Sequence, residues 1–301
     1  MKIFNSLDDF KVNFKTIVTI GTFDGVHIGH RYIINQLDKI AKKEGGESVL
    51  LTFSPHPRFV LYGDSSELKL IDTLEEKKRK LKENGLQNLV VQDFTKEFSR
   101  IKYVNFVRDF LVKKLNVYCL VIGYDHQFGR NREGSYKELT ALAELYNFKL
   151  KQIPPQKNND IAVSSTKIRN LLKDGNIKEA NKYLDNNFCL EGRVVDGDKI
   201  GRKIGYPTAN ISVDVNKIIP KEGVYVVNVI IDNSEYEGML NIGLKTQKIE
   251  VHIFDFSKDI YNKEITVEFL DWIRSPIKFD NNLDLKDQLQ KDEMACRCYF
   301  S

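Results

Sequence analysis

The stretch "TIVTIGTFDGVHIGHRYIINQLDKIAKK", Thr16 to Lys43, changes its hydrophobic period halfway along. Thr16–Ile20 is short, apolar and β-branched, the pattern of a buried strand. From Arg31 onward, Ile33, Ile34, Leu37, Ile40 and Ala41 share one helical face. Between the two lie Gly21, Gly25 and Gly29, and two of the chain's five histidines, His27 and His30. A strand, a glycine-rich turn and a helix together offer backbone N–H groups and the positive helix end to an anion. Glycines let the anion come close to the backbone. Histidines at this mouth can donate hydrogen bonds to phosphate oxygens. Two other readings stay open. The rings could bind a metal, although no HExxH pattern or nearby cysteine completes a ligand set. One ring could be structural. The strand–turn–helix context favours phosphate.

Working outward, 301 residues suit two domains. A 42% hydrophobic share supports real cores, and a 29% charged share fits a folded, soluble chain. The formal charge of +4 is too weak to indicate nucleic acid but suits anionic small molecules. No apolar run approaches a membrane span, and "MKIFNSLDDFKVNFK" holds no signal-peptide core. Cys119, Cys189, Cys296 and Cys298 lack the spacing of a zinc site, so reduced thiols and a cytoplasmic location are expected.

The first half alternates. Strands are expected at Thr16–Ile20, Ser48–Phe53, Leu89–Val91, Val117–Ile122 and Phe148–Ile153. Helices are expected after Arg31 and at Thr73–Lys82, Tyr103–Lys114 and Tyr136–Tyr146. This alternation implies α/β architecture with a doubly wound parallel sheet, whose sites lie at strand C-terminal ends. Helix-like segments follow at Thr166–Lys173 and Ile177–Leu184. From Phe188 onward strand-like runs dominate, ending in a helix at Asn282–Met294. That reads as an antiparallel β-barrel or compact sheet with a terminal helix. The boundary is expected near Asp185, giving domains 1–185 and 186–301.

Other motifs gather at the same sheet edge. "TFSPHP" (Thr52–Pro57) follows the second strand, and its prolines stiffen the loop around His56. "GYDHQFGRNREG" (Gly123–Gly134) follows the fourth strand and suits a ring-bearing phosphorylated ligand. "VSSTKIR" (Val163–Arg169) supplies N-cap residues or a second phosphate grip. In the second half, "GRKIGYPTANI" (Gly201–Ile211) runs from a glycine-punctuated loop into a strand. Thr208 and Asn210 there offer oxygens on one face, the donor type Mg²⁺ prefers. Glu268 sits in the strand "ITVEFLDWIR". No Walker A sequence is present, so a kinase here is not of the P-loop type.

Together with "EVHIFDF" (Glu250–Phe256), these motifs span nearly the whole chain, in family order. The sequence resembles the bacterial bifunctional riboflavin kinase/FAD synthetase (FMN adenylyltransferase) family. The resemblance implies a nucleotidyltransferase domain followed by a riboflavin kinase barrel. It implies transferase chemistry on ATP, riboflavin and FMN, with Mg²⁺ and with no nucleic-acid or membrane partner. His27, His30 and Glu268 would be catalytic, Glu268 as the base. Nucleotide contacts would come from Gly21, Phe23, Asp24, Gly29, Ser164, Ser165, Thr166 and Arg169, and in the second half from Gly201, Lys203, Gly205, Tyr206 and Pro207. Flavin contacts would come from Pro55, His56, Asp125 and Phe128, and metal contacts from Thr208 and Asn210. Adenylyl transfer has an anionic nucleophile and needs donors and cations. Riboflavin phosphorylation has a neutral hydroxyl nucleophile and needs a base. The loop "NIGLKTQKIE" (Asn241–Glu250) departs from the family's "NIGTRPT" type. The alternative is therefore a chain in which only the adenylyltransferase works and the kinase module binds flavin.

Overall fold

A computed structural model describes residues 1–63, 67–123, 136–154, 157–158, 161–197, 200–243, 248–279 and 281–301. The chain forms two compact units: Met1–Leu68 with Asp72–Ser164, and Lys69–Ile71 with Ser165–Ser301.

The first unit is built on a six-stranded parallel sheet. Its strands are β1 (Lys2–Phe4), β2 (Lys15–Ile20), β3 (Gly46–Ser54), β4 (Asn88–Asp93), β5 (Val117–Gly123) and β6 (Lys149–Ile153), in the order β1-β4-β3-β2-β5-β6. Alternate residues feed two cores. Val18, Ile20, Val49, Leu51 and Leu120 face Phe106, Leu111 and Leu139. Ile17, Cys119 and Val121 face Leu37 and Ala41, while Leu50 and Leu89 face Ile34 and Leu81. The covering helices are α1 (Ile28–Glu44), α2 (Pro57–Tyr62), α3 (Leu74–Glu83), α4 (Lys96–Ser99), α5 (Tyr103–Phe106) and α6 (Tyr136–Tyr146). Where one helix was expected over Tyr103–Lys114, α5 passes into a π-helical run, Val107–Val112. Strand β1 and helix α2 escape the sequence reading because each is too short to show a period. The chain moves from β2 outward through β3 and β4, then returns to place β5 on the other side of β2. The C-terminal ends of β2 and β5 therefore flank a topological switch point, where such sheets bind ligands.

A two-stranded ladder, β7 (Lys157–Asn158) with β8 (Ile161–Ala162), precedes α7 (Ser165–Asp174) and α8 (Ile177–Leu184). The second unit is a closed antiparallel barrel. Its strands are β9 (Phe188–Val195), β10 (Ala209–Val213), β11 (Gly223–Ile231), β12 (Ser234–Ile242), β13 (Ile249–Ile253) and β14 (Glu264–Arg274), in the order β10-β13-β12-β11-β14-β9. A short α9 (Ile200–Lys203) precedes β10, and α10 (Asn282–Phe300) closes the chain. This last helix runs six residues beyond the expected Met294, because its C-terminal turns pack Cys296 and Phe300 against Val226, Met239 and Phe254. Burial pushes the Cys296 thiol up to about 12, so it is inert as a nucleophile.

Lys69–Ile71 join this unit as a strap along 216–218. Leu70 exchanges backbone hydrogen bonds with Asn216 and Ile218, at 2.7 and 2.8 Å. Lys217, only 2% exposed, donates to the Ile71 carbonyl at 2.6 Å.

Candidate functional site

In the first unit, the turn after β2 is strongly bent. Phe23, Gly25 and Val26 all have positive φ (48°, 88° and 38°), which brings His27 to the N-cap of α1. His27 Nδ1 accepts the His30 backbone N–H at 3.4 Å. With Nδ1 accepting, a neutral His27 ring carries its proton on Nε2. The rings of Phe23, His30 and His27 stack in series, with centroids 4.4 and 3.7 Å apart. A Cβ on Gly29 would come within 3.2 Å of the His27 ring, so glycine suits the packed first turn. His30 is held well below its usual imidazole value by burial first, then by His27 and Lys77. It is therefore a neutral hydrogen-bonding ring at pH 7. Its Nδ1 has no hydrogen-bond partner among the described residues. A buried ring atom without a partner, at a helix N-terminus, suits a ligand oxygen.

Asp24 is buried and accepts the Asp72 backbone N–H at 3.0 Å. It braces the turn, and Gly21 ties it to β3 through the Leu51 carbonyl at 3.1 Å. At the end of β3, Ser54–Pro55 is a cis peptide and His56 caps α2, its Nδ1 accepting from the Arg58 N–H at 3.2 Å. The stiff turn expected around His56 is thus also a helix start, with Pro57 at the first position. Asp125 and Phe128 lie outside the described residues, as does most of the loop that carries them. Ser164 ends the first unit. Ser165, Thr166 and Arg169 belong to the second, where they open α7 one residue earlier than expected. Arg169 donates to the Lys69 carbonyl at 2.8 Å.

In the second unit, Asn210 on β10 pairs with Glu250 on β13, and Glu250 pairs with Asn241 on β12. Directly paired residues share a face, so the three form a polar row across three strands. Ile249 and Val251 point to the other, buried face. Thr208 lies just before β10 and lines the same cavity as Asn241 and Glu250. Its hydroxyl and the Asn210 amide oxygen are hard donors that fit a divalent cation, with the Glu250 carboxylate beside them. A Cβ on Gly197 would sit 1.9 Å from Asn210 Nδ2, so the loop before α9 lies directly on that amide. His252 Nδ1 donates to the Pro207 carbonyl at 2.7 Å and anchors the segment.

Glu268 is not in this row. It pairs with Cys189 on β9, whereas Asn210 pairs with Val195 on the same strand. Those partners are six residues apart, about 20 Å at strand rise. Glu268 instead accepts the Asn187 side-chain N–H at 3.0 Å. Its expected partnership with Thr208 and Asn210 is therefore corrected by register. Glu250 is the acid the barrel brings to them. The sequence signal was available in "EVHIFDF", since Glu250 and His252 alternate with apolar residues.

Two cavities flank this row. One, of about 380 Å³, is walled by Ile204, Tyr206, Met239 and Leu240 of the barrel side and by Leu285 and Leu289 of α10; it also reaches Asn241 and Glu250. The other, of about 670 Å³, is lined by Arg202, Pro207, Phe256, Lys258 and Tyr261. Thr208 lines both. Gly201 and Tyr206 face the first cavity, and Gly205 makes a turn with φ of 91°. The side chain of Lys203 lies outside the described residues. Tyr206 packs beneath α10, and burial and a hydrogen bond with Glu293 raise its hydroxyl above the usual value. Arg274 on β14 grips Asp292 of α10 with two nitrogens, the Nε bond being 2.8 Å.

A family model described as FAD synthetase matches residues 9–167, and one described as riboflavin kinase matches residues 184–300. The bifunctional riboflavin kinase/FMN adenylyltransferase of Listeria monocytogenes is 36% identical over 95% of this chain and 92% of its own. The Escherichia coli protein of the same name is 34% identical over 94% and 92%. The crystal structure of a macrolide-efflux protein from Streptococcus pneumoniae superposes with a TM-score of 0.88, at 33% identity and 98% coverage of both chains. Among the described residues of the present chain, no helix is long and apolar enough to cross a membrane.

Proposed function

Because the chain belongs to the bifunctional riboflavin kinase/FMN adenylyltransferase family, we propose that its two transfers run at the two sites described above. The chain is a transferase that makes FAD from riboflavin by way of FMN, using ATP at each step. Residues 1–185 carry the adenylyltransferase and residues 186–301 the kinase. Both reactions imply a divalent metal, and Mg²⁺ is the ion the Thr208 and Asn210 oxygens suit best.

In the kinase, riboflavin occupies the apolar cavity beneath α10, and ATP occupies the cavity carrying Arg202 and Lys258. The observation that carries this reading is that Thr208 lines both cavities, beside the Glu250 carboxylate. Glu250 accepts the proton of the ribityl hydroxyl as its oxygen bonds to the γ-phosphorus and ADP leaves. The metal, when bound, offsets charge on the phosphates. Thr208 and Asn210 would hold it.

In the adenylyltransferase, a phosphate oxygen of FMN attacks the α-phosphorus of ATP and pyrophosphate leaves. That nucleophile is already anionic, so no base is needed. His27 Nε2–H, the neutral His30 ring and the α1 N-terminus meet the phosphate oxygens. Gly21, Phe23, Asp24 and Gly29 shape the turn that holds them. Ser164, Ser165, Thr166 and Arg169 are proposed to add phosphate contacts, and Pro55, His56, Asp125 and Phe128 to contact the flavin.

The test is to incubate purified protein with riboflavin, ATP and Mg²⁺ and to separate the flavins. FMN and FAD should both accumulate. Riboflavin left untouched while supplied FMN becomes FAD would refute the kinase half. FMN accumulating without FAD would refute the other.

A further inference from the structure

Helix α3, "LEEKKRKLKE", buries an unusual face. Leu81 is inaccessible, as expected, but Glu76, Lys77 and Lys80 are buried with it, at 0%, 8% and 3% exposure. Lys80 is explained by its ion pair with Asp72 at 2.6 Å. Lys77 is different. Its ammonium donates to the Thr22 carbonyl at 3.0 Å and lies 3.4 Å from Thr52 Oγ1. Thr22 lies inside the glycine-rich turn, between Gly21 and Phe23. Thr52 lies at the end of β3, just before the cis Ser54–Pro55 bond. One buried cation thus ties together the two loops that leave the adenylyl-transfer edge of the sheet.

We propose that Lys77 is a positioning residue of FMN adenylylation, acting through the Thr22–His30 turn on the groups that meet the triphosphate. The inference rests on the assignment of that turn to adenylyl transfer. Stability alone does not call for such a residue. A buried ammonium pays a desolvation cost, and an apolar side chain of similar volume often serves a core equally well. Here burial pulls the Lys77 amine below its usual value. Asp24 from the turn and Asp72 from the segment before α3 oppose that fall, and Lys78 adds to it. The two acids favour the charged form of the amine. The cation in turn acts on His30: with burial and His27, it disfavours the imidazolium form. Stacked between Phe23 and His27, the neutral His30 ring then keeps one fixed orientation, which costs no reorganisation when ATP binds.

Riboflavin phosphorylation, which uses the other unit, controls for the amount of intact chain, and KM for ATP reports on the fold of the first unit. In Lys77→Met, kcat for FMN adenylylation should fall by about 10- to 100-fold, with KM for ATP changing less than about threefold and riboflavin phosphorylation unchanged. Lys77→Arg, which keeps the charge, should recover most of the rate. Histidine-labelled NMR titration should show His30 protonating at higher pH in Lys77→Met than in the parent, and near the parent value in Lys77→Arg. A Lys77→Met protein that keeps the kinase and adenylylates FMN within about twofold of the parent, or whose His30 titration does not move, overturns the proposal. If Lys77→Met does not fold, Thr52→Val removes the hydroxyl that links the ammonium and the Thr22 carbonyl, each at 3.4 Å. A fall of about threefold or more in adenylylation alone supports the inference, and a parental rate overturns it. A parent protein that makes no FAD at all refutes the adenylyltransferase reading itself, which is a different result from a parent-like Lys77→Met.

Discussion

His30 sits under two constraints that pull in one direction: burial and two neighbouring nitrogen bases both disfavour its cation. The folded value lies below the ordinary 6.5, so between those two pH values the unfolded chain binds more protons. Stability therefore rises with pH across that window and is lost on acidification below 6.5. Denaturant midpoints of the first unit should fall from pH 7 to pH 5, and His30→Gln should flatten that slope. His30→Ala should also cut FMN adenylylation by about 100-fold while leaving riboflavin phosphorylation nearly intact. Equal loss of both activities would show that the sites are not separate. At the kinase site the register makes a sharp distinction between two acids. Glu250→Gln should lower kcat for riboflavin phosphorylation by about 100-fold or more, with FAD formation from supplied FMN unaffected, whereas Glu268→Gln should retain phosphorylation. Alternation along a strand reveals that an acid leaves the apolar face. It does not reveal how far around a barrel that acid lies from a threonine 60 residues earlier in the chain. For that reason the alternation in "EVHIFDF" marks Glu250 as facing away from the core, while its pairing with Asn210 shows only in the register. Lys77 left a fainter trace: three residues after Leu74 and four before Leu81, it interrupts an otherwise apolar stripe.

At the scale of elements, the strands with continuous β-branched runs and the helices with sustained 3.6-residue periods were read correctly to within a few residues. The elements that were missed are those whose stability is not intrinsic. Strand β1 has three residues and depends on β4 for its ladder. Helix α2 depends on the His56 cap and on Pro57. Helix α3, by contrast, announces itself with a capping box. Thr73 Oγ1 accepts the Glu76 N–H at 3.2 Å, and Glu76 Oε2 accepts the Thr73 N–H at 2.7 Å. Thr73→Ala should destabilise the first unit by about 1 kcal/mol in urea unfolding. Helix α10 is a cavity wall as well as a cap on the barrel. Asp292 is nearly inaccessible and faces the Arg274 fork, so Asp292→Ala leaves a partly buried cation without that partner. The loss should be about 3 kcal/mol, and KM for riboflavin should rise while FMN adenylylation stays at the parental rate. An unchanged riboflavin KM would remove α10 from the flavin site.

On the scale of the whole molecule, the two units share a chain but divide the chemistry. A parallel sheet gathers loop ends at one edge, which suits a reaction that needs many donors around two anionic groups. A closed barrel spaces side chains along strands with fixed register, which suits a carboxylate held beside the oxygen donors of neighbouring strands. The composition pointed to this division only as two domains with different periodicities. The second unit, moreover, does not begin where the chain first turns to β-structure. It also takes in α7, α8 and the tripeptide Lys69–Ile71, whose carbonyl groups receive Lys217 and Arg169. That borrowed tripeptide bears on ancestry. A gene split between Asp185 and Asn186 would yield a barrel fragment lacking a backbone rung it now gets from nearly 150 residues upstream. A free-standing kinase descended from such a chain would need a local substitute for that rung, so fusion is the easier state to keep than to reverse.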